Sequence, residues 1–209
     1  MHDQTSPPLS TDKGLASRCY EAITALSMTV GRGAAARTIA DVAAVGAGDR
    51  LVDIGCGPGT AVREAARRGA ASTGVDPSPL MLDLARRISF LRGVRYITWV
   101  EGSAEAIPVP DGAASVAWAL SSVHHWVDRP TGLAEASRAL VPGGRLVLAE
   151  RLARPGARGH AAHGLTRDQA DELAAELGAA GFVDIRIETR GAGRRALLVV
   201  RGIRPGPKQ

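Results

Sequence analysis

Aromatic residues make up only 3% of this 209-residue chain, which leaves few platforms on which a flipped or single-stranded base could stack. Cysteine is nearly absent: Cys19 and Cys56 cannot build a disulfide framework, and neither belongs to a paired metal-ligand spacing. No apolar run approaches the ~20 residues needed to cross a bilayer. The amino terminus is polar and proline-bearing, without the basic-then-apolar order of a secretory signal. Together these absences make a cytoplasmic protein the expectation, with no membrane partner, no metal and nucleic acid disfavoured. Lysine is missing as well, apart from Lys13 and Lys208, so arginine carries the net charge of +5. The arginines are scattered, at 63, 67 and 68, then 86 and 87, then 151, 154 and 158. They read as a chain-wide bias and a solvated surface, not as a stripe for nucleic acid or acidic lipid.

What is present is ordinary globular chemistry, 45% apolar and 22% charged, in a length suited to one domain. Helical periodicity covers residues 14–30, behind the cap candidates Ser10, Thr11 and Asp12, and again residues 34–45. Apolar runs at 50–54, 72–75, 94–100, 115–120 and 145–149 read as strands, separated by helical patterns at 60–68, 79–88 and 131–140. Pro142-Gly143-Gly144 is expected to stop the last of these helices. Thr166 and Gln169 form a capping-box pattern before a helix over 168–180, and two strands follow at 183–189 and 194–201. Residues 1–13 and 202–209 are expected to be disordered tails around one domain. The alternation predicts an α/β fold: a doubly wound sheet of seven strands, mostly parallel, covered by helices on both faces. The closing strands share only a short glycine-bearing link, so they should pair as an antiparallel hairpin at one edge.

The informative stretch is Asp53-Ile54-Gly55-Cys56-Gly57-Pro58-Gly59-Thr60. Glycines at 55, 57 and 59 let the backbone turn sharply at a strand end and let a ligand approach closely. Asp53 places a carboxylate at the mouth of the resulting crevice, able to accept from a ligand ammonium. About twenty residues on, Asp76 ends the second strand, where a carboxylate can take both hydroxyls of a ribose. Either acid alone could be a cap or turn residue. In this order, beside the glycine loop, they point to a nucleoside-bearing cofactor.

Val52 to Thr60 resembles motif I of the class I S-adenosylmethionine-dependent methyltransferases, and further matches follow in register. Gly74-Val75-Asp76-Pro77-Ser78 resembles the acidic end of strand two, and Gly102 to Pro108 the loop on the adenine side. Ser121-Ser122-Val123-His124-His125-Trp126 resembles the segment after strand four, and Leu140 to Gly144 the turn before strand five. The flavour is nearest the small-molecule enzymes similar to those of ubiquinone and menaquinone biosynthesis. The resemblance implies a Rossmann-like fold and S-adenosylmethionine as cofactor. Asp53, Gly55, Cys56, Gly57 and Gly59 would face its methionine part, and Asp76 its ribose. Pro77 and Met81 would pack on the adenine, Ser103 and Ala104 would line its edge, and Ser121 would lie near the methionine carboxylate or the methyl. Ser103 stands where the family usually carries an aspartate, and Ala114-Ser115 replaces its customary phenylalanine-aspartate.

The reaction so implied is in-line attack by an oxygen, nitrogen or carbon nucleophile of a small-molecule acceptor. His124 and His125, at the end of strand four, are the candidate bases; the rival reading makes them loop-fixing residues. His160 and His163 have a metal-like spacing without a third ligand. A nicotinamide dehydrogenase would want its third glycine at position 60, which is Thr60. A base-directed methyltransferase would want an aromatic where Val123 stands. A cofactor-binding protein without turnover stays open, because the link from strand five to the next helix is short and any lid must come from the N-terminal helix or the second copy of a homodimer.

Overall fold

The computed structural model describes residues 32–156, 164–193 and 195–206. The expected helix over 14–30 and the His160/His163 pair lie outside these residues. The elements run α1 (Gly33–Val42), β1 (Arg50–Ile54), α2 (Thr60–Arg67), β2 (Ala71–Asp76), α3 (Pro79–Leu91) and β3 (Ile97–Glu101). They continue with β4 (Ala114–Leu120), a 3-10 turn (Val123–His125), α4 (Arg129–Ala139), β5 (Leu140–Arg151), α5 (Arg167–Ala179), β6 (Val183–Ala192) and β7 (Arg195–Ile203). One seven-stranded sheet has the order β3-β2-β1-β4-β5-β7-β6. Strands β1 to β5 are parallel, while β7 is antiparallel to both β5 and β6. This is the doubly wound sheet with an edge hairpin that the alternation predicts.

The period of two along the central strands sorts side chains between two cores. In β4, Val116, Trp118 and Leu120 face α1 and α2, whereas Ala117 and Ala119 face α4 and α5. In β5, Val147 and Ala149 take the first side and Leu146 and Leu148 the second. Trp118 is fully buried, as expected of a residue inside a central strand. Capping fixes where helices begin. Ser78 accepts from the Met81 N–H, Asp128 from the Thr131 N–H, and Thr166 and Gln169 close the capping box that their spacing predicts.

Strand β3 begins at Ile97, not at 94, and two further boundaries depart from expectation for one shared reason. Helix α4 stops at Ala139, and β5 begins immediately, carrying Pro142-Gly143-Gly144 inside the strand. The register shift between Ala114 and Val116 of β4 accommodates these extra residues as a bulge. Their backbone pairs with Arg204: the Gly143 N–H donates to the Arg204 carbonyl and the Arg204 N–H to the Gly144 carbonyl, both at 2.8 Å. The Arg204 guanidinium also donates to the Leu140 carbonyl. Gly202 and Ile203, expected as the start of a disordered tail, therefore end β7 instead. The bulged turn supplies partners that local composition does not announce.

Candidate active site

Strand β1 delivers Asp53 and the glycine loop to the carboxyl end of the sheet, the usual ligand position in open α/β folds. Gly55 N–H and Cys56 N–H both donate to the Val75 carbonyl, at 2.8 and 2.9 Å, which ties the loop to the end of β2. The Gly57 N–H then donates to Asp76 Oδ2 at 2.7 Å. Gly59, with φ of 76°, sits in the left-handed region, and a β-carbon there would stand 2.3 Å from the Trp99 ring. Trp99 thus supports the loop from behind. Gly57 is the opposite case, with open space where its β-carbon would project. A ligand can come close there. Helix α2 starts directly after Gly59 without a side-chain cap, leaving the Thr60 and Ala61 N–H groups for an anion.

The two carboxylates differ in how they are satisfied. Asp53 is 2% exposed, and its Oδ1 has no hydrogen-bond partner among the described residues. Burial, assisted by the nearby Asp76 charge and only partly offset by the Trp118 indole and the Val62 N–H, lifts its pKa to about 7. A cation in front of it would relieve that cost. Asp76 is also buried, and burial raises its pKa even though Ser78 N–H and Gly57 N–H donate to it at 2.9 and 2.7 Å. Each oxygen retains a lone pair for a ligand hydroxyl. Cys56 is no nucleophile: burial first, then Asp53 and Asp76, push its thiol well above the ordinary range.

The orphaned carboxylate oxygen, the open approach over Gly57 and the uncapped helix start fit an ammonium-, carboxylate- and ribose-bearing cofactor such as S-adenosylmethionine. The crevice is lined by Arg32, Asp53, Cys56, Thr60 and Leu120, among others. A larger cavity, about 190 Å³, lies beside Val42, Arg145 and Arg201 toward the opposite end of the sheet. It lacks this chemistry, since Arg145 is already paired with Asp49 and Arg201 with Glu188.

Pro77 is exposed and Met81 and Ser103 are half-buried around the second and third strand ends. Ala104 departs from its expected place: its methyl joins the core against α4, so only its backbone is left to line the crevice. Ser121 adopts φ of 56°, an uncommon conformation for a residue with a β-carbon, at the end of β4. Next to it Ser122 Oγ donates to the Ile54 carbonyl at 2.7 Å, pinning the histidine segment against the glycine loop.

His124 sits in the 3-10 turn with its Nδ1 3.1 Å from both oxygens of Glu150. Glu150 is 1% exposed and also accepts the Val123 N–H at 2.9 Å. The sequence singles out His124 but carries no signal for its partner Glu150. The apolar run predicts a strand over 145–149, and an acid just past it looks solvated, yet β5 continues to Arg151 and buries Glu150. His125 is exposed, its ring centroid 3.9 Å from that of His124. Among the described residues no group of His, Cys, Asp or Glu could hold a metal.

Comparison with known proteins gives the setting. Residues 52–148 match a family model described as a methyltransferase domain. An uncharacterized methyltransferase of Bacillus subtilis, YdaC, is 30% identical over 143 residues, covering 68% of this chain and 75% of the relative. The 27-O-demethylrifamycin SV methyltransferase of Amycolatopsis mediterranei is 38% identical over 115 residues, 54% of this chain. The chain spans only 42% of the length of that relative. A crystal structure of an S-adenosylmethionine-dependent methyltransferase from Aquifex aeolicus shares the fold, with TM-score 0.68, 16% identity, and coverage of 80% of this chain and 88% of that one.

Proposed function

The chain belongs to the S-adenosylmethionine-dependent methyltransferase family, and from that premise we propose that it transfers the cofactor methyl to a hydroxyl oxygen of a small molecule, with His124 as the base. The observation that carries the hydroxyl is the His124–Glu150 pair. An amine nucleophile arrives with its lone pair free once neutral, whereas a hydroxyl must lose its proton as it attacks. A histidine steadied by a buried carboxylate is suited to that task. With Nδ1–H donating to Glu150 the tautomer is fixed, and Nε2 is the nitrogen that would take the acceptor proton. The Glu150 carboxylate then stabilises the imidazolium that forms.

The cofactor supplies an activated methyl on a sulfonium, so the chain mainly orients the reactants and excludes water. Asp53 accepts from the ammonium group and Asp76 from the ribose hydroxyls. The α2 start binds the carboxylate, and Pro77 and Met81 cover the adenine side. Ser103 lines that side without the aspartate that usually holds the adenine amino group.

Calorimetric titration of S-adenosylmethionine, with NADH as control, tests the cofactor half. Saturable binding abolished in Asp76→Ala is expected, and NADH binding in its place would overturn the reading. The acceptor half is tested by labelled methyl transfer to matched hydroxyl and amine acceptor panels. His124→Ala should keep cofactor binding and lose transfer to hydroxyls, while transfer confined to amines and indifferent to His124 would refute it.

A further inference from the structure

The arginines scattered along the sequence do not all stay apart in the fold. Helices α2 and α3 both pack against β2 and β3, which brings the last turns of α3 within reach of α2. Arg63 of α2 reaches Ser89 Oγ of α3 at 3.5 Å. Arg67 ends α2, Arg87 lies in the last turns of α3, Arg92 follows that helix, and Arg95 stands in the link to β3. All four are exposed. None has a carboxylate partner among the described residues, whereas their neighbours Arg68 and Arg86 take Glu64 and Asp83. The crowding registers on Arg63 beneath them: burial, then the charges of Arg92 and Arg67, draws its pKa down to about 10.

Among these cations stand three large apolar side chains, Phe90 at 74% exposure, Leu91 at 82% and Tyr96 at 97%. The whole chain has two phenylalanines and two tyrosines, and one of each is placed here. Tyr96 even holds φ of 63°, a conformation costly for an aromatic residue, without packing in return. Exposures this high describe projecting tips, not the walls of a groove. Base stacking wants a flat or concave platform along a channel. Projecting apolar tips ringed by unpaired guanidinium groups match the interfacial zone of a bilayer, where the tips meet acyl chains and the cations meet phosphates.

We propose that this ridge docks the protein on a membrane surface rich in anionic phospholipid, Phe90, Leu91 and Tyr96 entering the interface and Arg87, Arg92 and Arg95 binding headgroup phosphates. The contact is peripheral, since no helix among the described residues is long and apolar enough to cross a membrane. Tyr96 directly precedes β3, at the amino end of the strands. The docked protein therefore keeps its crevice, at the carboxyl ends, open to solution.

Vesicle cosedimentation of the full chain tests this, using phosphatidylcholine alone and phosphatidylcholine mixed with phosphatidylglycerol. Binding to the mixed vesicles only, released by salt, is expected. One variant carries Phe90→Ser, Leu91→Ser and Tyr96→Ser; a second carries Arg87→Gln, Arg92→Gln and Arg95→Gln. Circular dichroism and thermal melting verify that each folds. At roughly fivefold per arginine, the second should lose about a hundredfold in partitioning, and because its sites are exposed it decides the matter even if the first unfolds. Failure to bind either vesicle would overturn the proposal, as would undiminished binding by the arginine variant. Binding of single-stranded nucleic acid in place of vesicles would overturn it too.

Discussion

Asparagine at position 53 would keep the side chain's shape and remove its charge. Asp53 is 2% exposed, and burial, reinforced by Asp76, lifts its carboxyl from 3.8 to about 7. Between those values the folded protein holds a proton that the unfolded chain has released. Stability therefore falls as pH rises through that window and levels off above it. At about 1.4 kcal/mol per pH unit, an ionised Asp53 costs the unliganded protein about 4 kcal/mol by pH 8. The Asp53→Asn variant lacks this cost. Its stability advantage should grow from near zero at about pH 4 to about 4 kcal/mol at about pH 8. Urea unfolding of both proteins across that range measures it, and taking the difference removes most other titrations. A flat difference would refute burial as the cause, and a variant less stable at the alkaline end would show that the protein itself already compensates the charge. The same physics reaches the ligand. A cation placed against Asp53 lowers its pKa, so S-adenosylmethionine binding below pH 7 should release a proton from the wild type but not from the variant. Calorimetry in buffers of different ionisation enthalpy detects this.

Glu150→Gln should lower kcat toward hydroxyl acceptors by roughly 100-fold with little change in cofactor affinity. A purely structural role would lower stability and leave kcat toward hydroxyl acceptors unmoved. Gly59→Ala combines a β-carbon 2.3 Å from Trp99 with φ of 76°, so a loss of about 2–4 kcal/mol is expected in thermal unfolding. Trp99→Leu in the same chain should recover part of it. Thr166→Ala opens the capping box of α5 and should cost about 1 kcal/mol, with methyl transfer unchanged.

The succession of strands and helices, the edge hairpin, the α5 cap and the glycine loop beside Asp53 at a strand end are all legible in the sequence. These follow from local signals. Short continuous apolar runs mark buried strands, Thr166 and Gln169 three residues apart mark a helix start, and glycines beside Asp53 mark a close backbone approach. The tertiary structure decided what depends on partners distant along the chain. Whether Gly202 begins a tail or finishes β7 depends on a bulge sixty residues earlier that offers Arg204 its hydrogen bonds. Whether Ala104 faces a ligand or a core depends on how α4 packs. Glu150 is an unremarkable acid in sequence and becomes the buried partner of His124 because β5 extends under the turn after β4. The arginines look dispersed when counted along the chain, because Arg67 and Arg92 both come to bear on Arg63 only once α2 and α3 pack on β2 and β3. Charge and proximity act through space, and a linear pattern holds that information only for residues within about a turn of one another.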